Sequence, residues 1–210
     1  MPLARGLESK NQVATKASPG KLVESPALDW LWKYLADVPR PLILDCGPVK
    51  PPTVDVLVGR GAKLYVADLV SALQQDHPQF WDRTKKVPVF LVQEFLAQMP
   101  PIPAASLNVI CGWHLLDLLP REALQPTVER LLACLQPGGV FFCLLREAYL
   151  KTGADQVWWL ESLTGLAATD AAKPFPYTVV SGRDLERLLS GGSLKSFLTR
   201  SGRREVLVLK

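Results

Sequence analysis

The chain has 210 residues and a formal net charge of +4, with 48% hydrophobic and 21% charged residues. That length suits one domain, and the composition excludes wholesale disorder. No uncharged apolar run approaches the roughly 18–20 residues of a membrane span, and Met1 to Gly20 lack the apolar core of a signal peptide.

Residues 1–24 mix Lys, Ser, Gly and Asn without a period and read as a flexible tail; residues 25–210 read as one domain. Ser25-Pro26 opens a helix whose apolar face is Leu28, Leu31, Trp32 and Leu35. Pro41 to Asp45 is a short apolar strand ending in an acid, and Thr53 to Arg60 a helix closed by Gly61. Lys63 to Asp68 is a second strand ending in an acid. Ser71 to Arg83 reads as helical, interrupted near Pro78, and Val87 to Val92 as a third strand. Leu107 to Gly112 is a fourth, and Pro126 to Leu135 an amphipathic helix with Val128, Leu131, Leu132 and Leu135 on one face. Val140 to Leu145 is a fifth strand. Ser181 to Asp184 fits a capping box for a helix through Leu189, and Leu194–Thr199 with Glu205–Leu209 reads as a terminal β-hairpin. Continuous apolar strands alternating with helices predict a three-layer, Rossmann-like α/β sandwich, its mostly parallel seven-stranded sheet ending in that antiparallel hairpin.

The charge is uneven. Residues 183–210 carry seven basic and three acidic groups, whereas 26–182 carry thirteen against fifteen. A basic end can meet nucleic acid or an acidic protein partner, but no aromatic-rich RNA-binding motif accompanies it, so nucleic acid is not expected. Cys46, Cys111, Cys134 and Cys143 form no CxxC and have no histidine at metal-finger spacing. They read as reduced core residues of a cytoplasmic protein, and no metal site is expected.

Three ordered features carry chemistry. The first strand ends Leu44-Asp45-Cys46-Gly47, and the second ends in Asp68, 23 residues after Asp45. The fourth strand runs into Trp113-His114 and then Leu115 to Pro120. The next helix closes with Leu135-Gln-Pro-Gly-Gly139. In this order the chain resembles the class I S-adenosylmethionine-dependent methyltransferase superfamily over about residues 25–210. The resemblance implies S-adenosylmethionine as cofactor. It would be held by Asp45, Gly47, Asp68 on the ribose hydroxyls, and Glu94 (or its neighbour Gln93) beside the adenine. Trp113 and His114 would face a small-molecule acceptor, with His114 as candidate general base. Asp45 can alternatively order the loop through backbone N–H groups, Asp68 can serve the next helix's N-terminus, and His114 can simply be packed. Asp117 is expected to cap the following turn, and Lys50 to face solvent.

The loop after the first strand breaks that pattern. The family's second and third glycines fall at Val49 and Pro51, within Gly47-Pro-Val-Lys-Pro-Pro52. Valine is disfavoured at positive φ, and proline fixes φ and removes an N–H. The expectation is a methyltransferase-like protein with weakened or lost cofactor binding and no catalysis. The alternatives are an active small-molecule methyltransferase with an altered loop, and a basic-ended adaptor. Trp158 and Trp159, in an insertion over 148–180 that the family uses for acceptor recognition, are expected to divide between core and edge.

Overall fold

The computed structural model describes residues 22–146, 156–171, 178, 180–189, 192–199 and 203–210. Strand β1 (Val23–Glu24) leads into α1 (Pro26–Tyr34), where the Ser25 hydroxyl accepts the Leu28 N–H at 3.2 Å and Pro26 takes the first helical position. Of the expected tail, Val23 and Glu24 pair with Leu166 and Gly165, and residues 1–21 lie outside the described residues. β2 (Leu42–Asp45), α2 (Pro51–Gly59) and β3 (Lys63–Val66) follow, with Gly61 at φ +88° releasing the chain from α2.

The next segment departs from expectation. The helix α3 (Leu69–Gln74) stops well short of Arg83, and a 3-10 turn over Pro78–Phe80 leads to β4 (Trp81–Asp82). The expected third strand of the sheet, Val87 to Val92, is reduced to β5 (Val89–Phe90), which pairs antiparallel with β4 instead. Aromatic packing explains this. Phe90 lies 5.1 Å from Trp81, 5.4 Å from Phe95 and 6.4 Å from Phe80 between ring centroids, and Pro88 has no N–H for a longer ladder. Phe95 belongs to α4 (Val92–Leu96).

β6 (Leu107–Trp113), α5 (Leu115–Leu118), α6 (Arg121–Cys134) and β7 (Leu135–Arg146) complete the parallel part. Helix α6 starts before Pro126, which lies inside it. The insertion contributes the hairpin β8 (Gln156–Leu160) and β9 (Gly165–Asp170). α7 (Gly182–Leu188) has the expected Ser181/Asp184 capping box, and β10 (Ser193–Leu198) pairs with β11 (Arg203–Leu209).

The main sheet runs β10-β11-β7-β6-β2-β3, with β11 antiparallel to both neighbours and β7, β6, β2 and β3 parallel. It has six strands among the described residues rather than seven, because the third strand left it and made β3 an edge. The accessory sheet β1-β9-β8 is separate.

Alternation along β11 sorts the layers. Glu205 bonds Ser25 and the Ala27 N–H at the start of α1, and Arg203 lies over Trp158 of β8. Arg204 reaches instead to the Val180 carbonyl, just before α7. α1 and the accessory sheet thus cover one face, and α7 the other. The core between them includes Ile43, Leu44, Ile110, Phe141, Phe142, Val206 and Leu207, all fully buried.

Candidate functional site

Ligands in open α/β sheets bind beyond the carboxyl ends of the parallel strands. There β2 delivers Asp45, β3 leads to Asp68, and β6 delivers Trp113. Asp45 is buried. Its Oδ1 accepts the Gly47 N–H at 3.0 Å, closing the turn after β2, and the Trp113 indole N–H at 2.6 Å. Burial raises the Asp45 pKa above the ordinary aspartate range; the bonds from Trp113 and Gly47 pull it down, and the Asp68 charge adds to the rise.

A bulge aims Trp113. Between Cys111 and Trp113 on β6, the facing strand β7 advances only from Phe142 to Cys143, so Gly112 is the extra residue. Trp113 itself sits at φ +49°, in the left-handed region. The bulge turns its side chain back across the loop, edge-on to Phe142 at 6.2 Å. The indole then lies directly against Gly47: a Cβ at that position would overlap the ring's Cδ1 and Nε1. The close backbone approach that glycine permits here is used by a side chain of the chain itself.

The start of α2 faces the same region. Pro51 and Pro52 occupy its first positions and bring no N–H, and Lys50 at the N-cap makes no capping bond. The buried Thr53 hydroxyl accepts the Leu160 N–H at 3.0 Å, pinning β8 against α2. Lys50 Nζ lies 5.6 Å from the Trp159 ring centroid rather than simply facing solvent, and the Trp159 indole donates to Glu161 at 2.9 Å. Trp158 and Trp159, neighbours on a strand, point to opposite sides, and both are half-buried.

The other expected residues are engaged differently, although Asp68 is near enough to Asp45 for its charge to act there. Asp68, at φ +29°, caps α3: its Oδ1 accepts the Ser71 N–H at 3.1 Å. Glu94 is exposed in the first turn of α4, and its carboxylate makes no hydrogen bond to the described residues. His114 is almost buried and its Nδ1 lies 3.2 Å from Asp117 Oδ2. Asp117 does not cap the turn. Its Oδ2 accepts the Arg146 N–H at 2.8 Å and so ties the end of β7 to His114. The structure thus joins Asp45, Gly47 and Trp113, brings the Asp68 charge to bear on Asp45, pairs His114 with Asp117, and leaves the Glu94 side chain exposed. Thr53 and the Trp113–Asp45 bond escape sequence reading, although a glycine within a strand, Gly112, signals a bulge.

The thiols of Cys46 and Cys111 beside Asp45 are pushed well up by burial and then by its charge. All four cysteines are buried and unpaired. Among the described residues no cluster suits a metal ion, and no helix is long and apolar enough to cross a membrane.

No family model matches the chain, and no curated protein matches it. Solved structures do. The chain is similar to 1,6-didemethyltoxoflavin-N1-methyltransferase of Burkholderia thailandensis, determined with bound 1,6-didemethyltoxoflavin and S-adenosylhomocysteine, at 16% identity and a TM-score of 0.48, covering 88% of this chain and 76% of that one. It is similar to a SAM-dependent methyltransferase of Aquifex aeolicus at 14% identity and a TM-score of 0.48, covering 88% and 89%. A methyltransferase of Mesorhizobium loti gives 13% identity and a TM-score of 0.47, covering 88% and 99%. The strand order of the main sheet, with its last strand inserted antiparallel beside the fifth, is the class I methyltransferase arrangement without its third strand.

Proposed function

We propose that this class I methyltransferase-like domain has lost, or greatly weakened, S-adenosylmethionine binding and works as a binding or regulatory module without catalysis. The observation that carries the reading is the Trp113 indole lying on Gly47 and bonded to Asp45. The residues present do not fit the cofactor that the fold implies. The one glycine of the loop has its open side filled, Val49 and Pro51 stand where the family has glycine, and two prolines remove donors at the start of α2. Asp68, assigned to ribose hydroxyls, spends one oxygen on its own helix. A protein partner is favoured over a small-molecule acceptor, and four buried, unpaired thiols support a cytoplasmic setting.

Calorimetric titration of the purified protein with S-adenosylmethionine and S-adenosylhomocysteine tests this. The expected result is no heat and no thermal stabilisation up to millimolar ligand. Micromolar binding, about −8 kcal/mol, overturns it. The His114–Asp117 pair favours a second reading, an active small-molecule methyltransferase in which His114 takes a proton from the acceptor. That reading needs Trp113 to leave Gly47, and the same titration separates the two.

A further inference from the structure

We infer that the cleft between the starts of α6 and α7 docks an acidic segment of a protein partner. Three arginines from two helices line it: Arg121, the first residue of α6, and Arg183 and Arg187, one turn apart on α7. Ser181 and Asp184 complete the lining of a cleft of about 620 Å³. Asp184 is its one acid. Arg187 Nη2 lies 2.8 Å from its Oδ1 and Arg121 Nη2 3.6 Å from its Oδ2, while the Ser181 hydroxyl donates to Oδ2 at 2.7 Å. Two of the three arginines share the one carboxylate, and the Arg121 and Arg187 side chains remain 68% and 74% exposed.

The location accounts for the charge excess read from the sequence. Among the described basic residues of 183–210, Arg203 is buried against Glu205, Arg204 reaches the Val180 carbonyl, and Lys210 caps the end of α6. Lys195 lies over the Trp30 ring. Arg183 and Arg187 are turned outward, Arg187 paired only with Asp184 of its own helix, and both line one cleft with Arg121. The charge that remains is gathered in one cleft.

The chemistry favours carboxylates. A guanidinium offers five N–H donors in a planar fork that matches a carboxylate edge, and Asp184 already occupies part of two such forks, leaving further donors on each. A nucleic acid would want an extended basic track with aromatic platforms. The cleft lining contains no aromatic residue on which a base could stack. The inference is independent of whether the cofactor cleft is closed, since the arginines lie on α6 and α7.

Fluorescence anisotropy with a fluorescein-labelled hexaglutamate peptide at low salt tests it, beside a labelled single-stranded oligonucleotide of equal charge. The double variant Arg183→Glu/Arg187→Glu removes the outward charge. Lys33→Glu, on α1 across the sheet, is the charge-reversal control. The expected result is peptide binding that the double variant weakens by at least about tenfold and the control changes by less than about twofold. No peptide binding at millimolar concentration, or equal losses in variant and control, overturns the proposal. Tighter binding of the oligonucleotide that the double variant abolishes also overturns it, in favour of a nucleic-acid surface. Circular dichroism confirms that each variant is folded; the reversed residues are exposed, and such pairs contribute little to stability.

Discussion

Glu205 on β11 accepts the Ser25 hydroxyl at 2.6 Å across 180 residues of sequence. The same oxygen accepts the Ala27 N–H at 3.0 Å, and its partner oxygen takes Arg203 Nη2 at 2.7 Å. A fully buried carboxylate thus caps α1 and neutralises a buried arginine. Replacing Glu205 by Ala leaves the Arg203 charge without its counter-ion, at a cost of about 3–5 kcal/mol. Urea denaturation should show that loss, and a smaller one for Glu205→Gln, which keeps an acceptor for Ser25 and Ala27.

Trp113→Phe keeps an aromatic ring but removes the donor to Asp45. The cost should be about 1.5–3 kcal/mol at neutral pH, the range for a bond to a charged group. The pH dependence has a definite sign. Burial raises the folded-state pKa of Asp45, so its contribution favours folding at low pH and is lost as pH rises through the folded value. Removing the indole N–H raises that pKa further. The destabilisation by Trp113→Phe should therefore shrink as the pH falls, and urea denaturation at neutral and mildly acidic pH checks it. A pH-independent difference would mean that the indole matters only as bulk.

Gly47→Ala sets a methyl group in overlap with the indole Cδ1 and Nε1 and must displace Trp113. Overpacking of this kind costs about 1–3 kcal/mol. In Trp113→Ala the ring atoms nearest to that methyl are gone. A double-mutant cycle should give a coupling of at least about 0.5 kcal/mol, and additivity within error would break the link between the two residues.

Thr53→Val keeps the shape of the side chain and removes the acceptor for Leu160 N–H. An unsatisfied buried donor costs about 1–3 kcal/mol. Amide exchange at Leu160 should accelerate in this variant while the exchange of β6 and β7 follows global stability.

The four thiols should resist a disulfide reagent in the native protein at pH 8 and all react in denaturant. Burial holds each pKa above the ordinary thiol value, and none is exposed.

Much of the architecture was legible because local chemistry and burial agree. Ser25-Pro26, Gly61 and the Ser181/Asp184 box punctuate the chain where sequence places them. The third strand failed because its residues carry two competing patterns: an apolar run suits a sheet, but Phe90 gains more from Phe80, Trp81 and Phe95, which no periodicity reveals. The candidate site was legible by residue and not by geometry. Asp45, Gly47 and Trp113 do meet, yet which of them faces a ligand depended on one bulge and one positive φ. Glu94 was assigned by its position after a strand that forms only as Val89–Phe90, outside the main sheet, and its side chain is exposed.

The strand that joins β7 to β10 is the last of all in chain order. During synthesis, β7 must therefore emerge and wait as an open edge, its inward residues Phe141 to Leu145 unshielded on one side until residues 203–209 arrive. Neither helical layer can be completed before then, since Glu205 fastens α1 and Arg204 fastens the segment before α7. The order of translation and the order of strands disagree, so until residues 203–209 are made the β7 edge stays open to a chaperone or a second nascent chain.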